Sequence, residues 1–232
     1  VESFNPSAKP KVVSGMREAV AAAMSRSKRE IPHYYLQSTA DLAVMSDFLS
    51  EKNRNLPPEN RILPAAVFLR VVALALKECP DLNGWWKDDR FIRADAVNVG
   101  FAISLKSGGL VNPAIRNADQ VKLDEIMTQL SDMIARARGG VLKSGELSDG
   151  TFTLSSIGAH GADALFGIIH PPQVGLAGFG PVRETVMAIN GMVAVRPGMT
   201  MTLSADHRAT DGIYGSKFMH SVSRYLQQPE TW

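Results

Sequence analysis

Residues 200–218 read TMTLSADHRATDGIYGSKF, and the order of elements within them decides how the whole chain is read. Alternating apolar positions in MTMTLSA predict a strand that ends in Ser204-Ala205-Asp206, and His207 follows at once. Asp211 and Gly212 then open a helix expected to run to about Gln227. A histidine at such a junction has two readings. In one it is a base for proton transfer, because an unperturbed imidazole titrates near ~6.5, and Asp211 orients its loop. In the other the stretch is a turn, and Asp211 only caps the helix with its carboxylate. Residue chemistry alone does not separate the two.

Outward from this point the chain alternates helices and strands. Ser14 is an N-cap candidate, and Met16, Val20, Ala23, Met24 and Ser27 recur behind it at helical spacing. Pro32 ends that helix, and HYYLQSTADL reads as a strand. A second helix begins near Asp41 and continues through SDFLSEKNRN. After the loop LPPENR, Pro64 starts a third helix, Ala65 to Lys77, that is apolar almost all round and belongs in the core. RFIRADAVNVGFAISL predicts a hairpin and GGLVNPAI a further strand. VKLDEIMTQLSDMIARAR is an amphipathic helix with Leu123, Ile126, Met127, Leu130, Met133, Ile134 and Ala137 on one face. GTFTLSSIG, QVGLAGFGPV and ETVMAINGMVAV read as strands bounded by Gly and Pro. The expected fold is an α/β two-layer sandwich with a mixed β-sheet.

Composition narrows the function classes. The 232 residues suit one large domain or two small ones, with 45% hydrophobic and 21% charged residues. A formal charge of +2 does not argue for a nucleic-acid partner. The lone Cys79 excludes an internal disulfide framework and a multi-cysteine metal site. The longest apolar run is interrupted by Arg70 and is too short to cross a membrane. Residues 1–13 are polar, carry Pro6 and Pro10, and read as a linker tail, as expected of a piece of a longer protein. Residues 14–232 form the domain.

Of the other histidines, His33 stands at a strand start, His160 in a Gly-rich loop, His170 before Pro171-Pro172, and His220 within the last helix. None pairs at the spacing of a helical zinc site, so no metal is expected. Neither GAHGADALFG nor GFGP is a phosphate-binding loop. Ser155 and Ser156 in FTLSSIG lack a GxSxG elbow; a hydroxyl there is a strand-end serine or a hydrogen-bond donor.

The DHRATDG stretch resembles the HxxxDG signature of the catalytic domain of dihydrolipoamide acyltransferases, the core components of 2-oxo acid dehydrogenase complexes. Chloramphenicol acetyltransferase shares that fold and signature, and peptide-synthetase condensation domains carry a similar HHxxxDG. Further stretches resemble the same family in order: SGMREAVAAAMSRSKREIPHYYL, VNVGFAISLKSGGLVNPAIRNAD, and the run from Ile134 to Gly180 with its serine strand. The likeness extends from about Ser14 to Pro229. Departures are Ala22-Ala23 where a basic pair is common, His170 for the usual asparagine, and Ser156 where asparagine is common.

The resemblance implies a chloramphenicol acetyltransferase-like fold. It also implies acyl transfer between coenzyme A and a dihydrolipoyl group carried on a lipoyl domain outside this chain. His207 would be the general base, the Ser155 hydroxyl the oxyanion donor, and Asp211 the support of the His207 loop, with Arg17 as its candidate salt-bridge partner. Gly212 would allow close chain packing beside it. The resemblance further implies a homotrimer with the active site between subunits. Family trimers build further into 24-mer or 60-mer cores that hold the other components of the complex. The expected location is a bacterial cytoplasm or a mitochondrial matrix. A non-catalytic scaffold and an acetyltransferase acting on a small hydroxylated acceptor are the two alternatives.

Overall fold

The computed structural model describes residues 15–105, 109–142, 144–158 and 161–232. Its elements in chain order are α1 (Gly15–Glu30), β1 (His33–Asp41), α2 (Ala43–Asn53), α3 (Pro64–Glu78), β2 (Gly84–Lys87), β3 (Arg90–Arg93), β4 (Val99–Phe101), β5 (Ile103–Ser104), β6 (Leu110–Val111) and β7 (Ala114–Ile115). They continue with α4 (Leu123–Gly139), α5 (Ser144–Ser148), β8 (Phe152–Ser156), β9 (Gly175–Phe179), β10 (Arg183–Ile189), β11 (Met192–Asp206) and α6 (Gly212–Tyr225). Seven strands form one mixed sheet in the order β1-β11-β9-β8-β4-β7, with β10 paired to the first half of β11. The contacts of β8 with β4 and β9 are parallel and the others antiparallel. Among the described residues no helix is long and apolar enough to cross a membrane.

Helix α3 is the centre of the core, as its all-round apolar sequence requires. Nine of its residues are buried, among them Val67, Phe68, Leu69, Val72 and Leu76. Its one interior cation, Arg70, spends its guanidinium on the carbonyls of Ala118, Asp119 and Thr231, which ties the 118–119 turn and the chain end to the helix. Helix α4 lays its predicted stripe on the same core. It stops at Gly140, whose φ of 73° favours a residue without a Cβ.

The sheet has two unlike faces, and strand periodicity creates both. On β11, Met201, Leu203 and Ala205 join the helix-covered core. The alternate residues Thr202, Ser204 and Asp206 point the other way and are also buried. The segment from Asp163 to Ile169 lies over part of this face. Thr202 Oγ1 donates to the Leu165 carbonyl, and Ser27 Oγ at the end of α1 donates to the Ile169 carbonyl at 2.7 Å. Ile31, Ile169 and Leu176 make a small apolar cluster under it. Gly178 makes this layering possible, because a Cβ there would run into the Leu165 carbonyl and the Thr202 hydroxyl.

Three strand expectations need correction, the first being GGLVNPAI, which is two short strands: Leu110–Val111 pairs with Ile103–Ser104, and Ala114–Ile115 pairs with Val99–Gly100 in the main sheet. Residues 90–105 do not form one hairpin: Arg90–Arg93 pairs with Gly84–Lys87 in a separate ribbon, while Val99–Phe101 enters the main sheet between β8 and β7. ETVMAINGMVAV is not one strand either. The chain reverses at Asn190-Gly191, both at positive φ, and β11 then runs unbroken through Pro197 to Asp206. Asn-Gly between apolar runs is a strong hairpin signal. The Ser14 cap and the 1–13 linker lie outside the described residues.

Candidate active site

His207 is the first residue beyond β11 and lies exposed at the sheet end. Its backbone N–H donates to the Pro32 carbonyl at 3.0 Å. The Tyr34 ring meets the imidazole edge-on, with 5.2 Å between centroids. Tyr34 is held in turn by a 2.9 Å hydrogen bond between its hydroxyl and Thr210 Oγ1. Burial pushes the Tyr34 phenol above its ordinary value, and the Asp211 charge adds to this, so it stays protonated. No hydrogen bond to a His207 ring nitrogen is made among the described residues. The imidazole opens on a cleft of about 490 Å³ lined by Asp81, Arg208, Thr210, Asp211 and Tyr214.

Asp211 caps α6: its Oδ1 accepts the Tyr214 N–H at 2.8 Å. The capping reading is therefore met in the geometry, and no bond from Asp211 to the His207 ring accompanies it. Arg17 lies on α1, but its side chain is outside the described residues. Gly212 does not do what was expected within the chain. A Cβ there would meet nothing within 4 Å, so no close approach of this chain demands a glycine.

The residue that builds the His207 turn is one that the sequence reading passes over. Asp206 is fully buried and its carboxylate takes four bonds from Arg208. Oδ1 accepts the backbone N–H and Nε, both at 3.0 Å, and Oδ2 accepts Nη2 at 2.7 Å and Nε at 3.2 Å. The Asp206 carbonyl accepts the N–H groups of Ala209 and Thr210. The Arg208 guanidinium also lies 4.5 Å from the Trp86 ring centre. An aspartate bonding the N–H two residues on is a turn signal readable in sequence, and it is present at Asp206. Asp206→Ala leaves that N–H and the guanidinium unpaired, with Arg208 only partly buried. We expect a loss of about 2–3 kcal/mol in folding stability. Asp206→Asn keeps an acceptor for the N–H and should lose less. Denaturant unfolding of both variants measures this, and an Ala variant as stable as the parent would show that Asp206 does not hold the turn.

Ser155 is half-buried on β8, in a second cleft of about 490 Å³ lined by Ile103, Leu110, Ile134, Arg138 and Leu165. The sheet register separates it from His207. Ser155 is opposite Gly178, and Gly178 is opposite Thr202, five residues before His207 on β11. At ~3.3 Å per residue along the strand and ~4.8 Å per strand across, the Cα positions of Ser155 and His207 stand roughly 19 Å apart. One chain does not bring them together.

Comparison with known proteins identifies the class. The sequence matches the family described as 2-oxoacid dehydrogenases acyltransferase (catalytic domain) over residues 6–232, and the chain belongs to it. It is 30% identical over 218 residues to the dihydrolipoyllysine-residue acetyltransferase component of the pyruvate dehydrogenase complex of Rickettsia bellii, covering 93% of this chain and 52% of that one. It is 32% identical to the lipoamide acyltransferase component of the branched-chain alpha-keto acid dehydrogenase complex of Bacillus subtilis, covering 93% and 51%. The chain thus spans about half the length of the curated relatives it matches. Among solved structures, a probable dihydrolipoamide acetyltransferase from Listeria monocytogenes superposes with a TM-score of 0.88 at 31% identity, over 95% of this chain and 94% of that one. Chloramphenicol acetyltransferase superposes at 0.56 with 14% identity, which concerns the fold alone and bears out the expected fold class.

Proposed function

We propose that this chain is the catalytic domain of a dihydrolipoamide acyltransferase, moving an acyl group between coenzyme A and a dihydrolipoyl thiol, both as substrates. The observation that carries the reading is the family signature folded into an exposed His207 with free ring nitrogens beside an open cleft. A thiol with a pKa near ~8.5 is mostly protonated at neutral pH, so attack on a thioester needs a base. His207 takes the S–H proton as the sulfur attacks the thioester carbonyl carbon. The carbonyl electrons move to oxygen, and the Ser155 hydroxyl donates to that oxyanion. When the intermediate collapses, the C–S bond to the departing thiol breaks and the imidazolium returns a proton to it. No acyl-enzyme forms. Among the described residues no cluster of three or more metal-ligating side chains exists, and no step in this scheme calls for a metal ion.

Because Ser155 and His207 stand at opposite ends of one sheet, the site needs the serine of one subunit and the histidine of another. A ring of three copies repeats that mixed site at each interface. The β10–β11 hairpin supports association: Val186, Val193 and Val195 share one of its faces and are 70%, 82% and 63% exposed. A contiguous apolar strip of this kind marks an interaction surface. Lipoyl domains and the other components of a 2-oxo acid dehydrogenase complex are the proposed partners, in a bacterial cytoplasm or mitochondrial matrix. Relatives are named as components of such complexes in bacteria and in mitochondria.

The test is a rate comparison of acetyl-, succinyl- and branched-chain acyl-coenzyme A donors with free dihydrolipoamide, alongside small alcohols as acceptors. Transfer to the dithiol at least 100-fold faster than to alcohols, on the order set by a site built for its acceptor, is expected. No transfer from any donor leaves the scaffold reading, and preference for alcohols leaves the hydroxylated-acceptor one.

A further inference from the structure

His33 is held by two backbone groups of opposite character. Its Nδ1 is 2.9 Å from the Ile31 carbonyl oxygen, and its Nε2 is 3.1 Å from the Ile169 backbone nitrogen. A carbonyl only accepts and an amide N–H only donates. The proton must therefore sit on Nδ1, and Nε2 must accept. Only the neutral ring makes both bonds, since a second proton on Nε2 would point at the Ile169 N–H. Ile169 is held on its other side by Ser27, so both of its backbone groups are bound by side chains from the α1–β1 corner. The same corner supports the catalytic histidine. Pro32, between the two anchor points, accepts the His207 N–H, and His33 lies directly opposite Asp206 in the sheet.

We propose that neutral His33 is a positioning residue for His207, latching the 165–173 segment to the corner that sets the His207 backbone, and that mild acid releases this latch. The proposal rests on the reading of His207 given above. The surroundings favour the neutral ring. Burial lowers the His33 pKa first, the Ile31 carbonyl works against this, Lys28 on α1 lowers it further, and Asp206 on β11 raises it. The Tyr35 ring stacks on the imidazole 5.8 Å away. With a folded pKa below the unfolded one, the contribution of the latch to stability is complete above the unfolded value near ~6.5. It is lost as pH falls through the lowered folded value.

Three variants and two readouts test this. Glutamine at this position offers an acceptor near Nε2 and does not titrate, while asparagine supplies a donor near Nδ1 and no acceptor that reaches Ile169. Hydrogen–deuterium exchange of the peptide spanning 164–174, corrected for the chemical pH dependence, reports the latch without any acyl transfer. The parent should hold this peptide protected at about pH 8 and lose protection roughly tenfold or more by about pH 5. His33→Gln should stay protected at both; His33→Ala and His33→Asn should be unprotected at both. In the transfer assay His33→Ala should lower kcat roughly 10–100-fold with KM little changed, as a misplaced base does. His33→Gln should restore most of the loss and remove the acid limb that belongs to the latch. Parent protection that does not change with pH overturns the switch. His33→Ala with normal protection, or with lost protection and parental kcat, overturns the positioning role. Should the parent transfer no acyl group at all, the functional reading fails while the exchange result still decides the latch.

Discussion

His207→Ala is expected to lower kcat by roughly 10²–10⁴-fold with the fold intact, the range for a positioned acid–base group. The expectation of an intact fold comes from the surroundings. The side chain is exposed, its ring makes no hydrogen bond among the described residues, and the turn is held by Asp206 and by the His207 backbone N–H, which alanine retains. Alanine gives up the edge-on approach to Tyr34, whose hydroxyl keeps its bond to Thr210. The measurement is steady-state transfer between acyl-coenzyme A and dihydrolipoamide, paired with thermal unfolding. Near-parental turnover in a folded variant would sink the mechanism.

The second large effect concerns Ser155. Ser155→Ala should lower kcat by about 10²–10³-fold and leave KM nearly unchanged, because a donor to the oxyanion acts only once the intermediate forms. Ser156→Ala is the control and should be much milder. A nucleophilic serine would instead trap an acyl group when mixed with acyl-coenzyme A alone. Mass spectrometry of the intact chain would reveal that adduct, and finding it would overturn the assignment. The separation of roughly 19 Å along the sheet register makes a stronger demand. Two dead proteins should rescue each other. Ser155→Ala and His207→Ala chains, unfolded together and reassembled, would form mixed oligomers in which some interfaces pair an intact serine with an intact histidine. Activity should return on mixing and be absent from either parent treated alike. Mixed oligomers that form, as tagged co-purification shows, yet stay inactive would place the site within one chain.

Much of the molecule is legible in its sequence. The helical stripe of α4, the apolar α3 and the capping Asp211 are local patterns, each complete within one or two turns of chain. The HxxxDG resemblance likewise needs only six consecutive residues, His207 to Gly212. The hairpin at Asn190-Gly191 is also written locally, and it is missed when a strand is extended through it. The ribbon of β2 and β3 escapes for a different reason. Arg90–Arg93 and Val99–Phe101 are both short and carry apolar residues, and only their partners, Gly84–Lys87 and Phe152–Leu154, tell them apart. Strand propensity reports how well a residue fits a pleated, half-buried surface and does not name the neighbour.

By itself, then, the sequence determined the long helices and several strands, because side-chain periodicity and capping are short-range, and it carried the family likeness, which alone implied His207 and Ser155 as candidate base and hydroxyl. Tertiary structure alone decided what those residues face. It buried Asp206 and made it the anchor of the His207 turn, where sequence showed only the end of a strand. It brought Ile169 onto His33 and Ser27 across more than a hundred residues of chain. It also set Ser155 and His207 at opposite ends of one sheet through the register of β8, β9 and β11. Register is a cooperative property of whole faces: a one-residue slip would turn Met201, Leu203 and Ala205 out of the core. No single strand carries that information, so the placement of the site emerges only when the faces pack together.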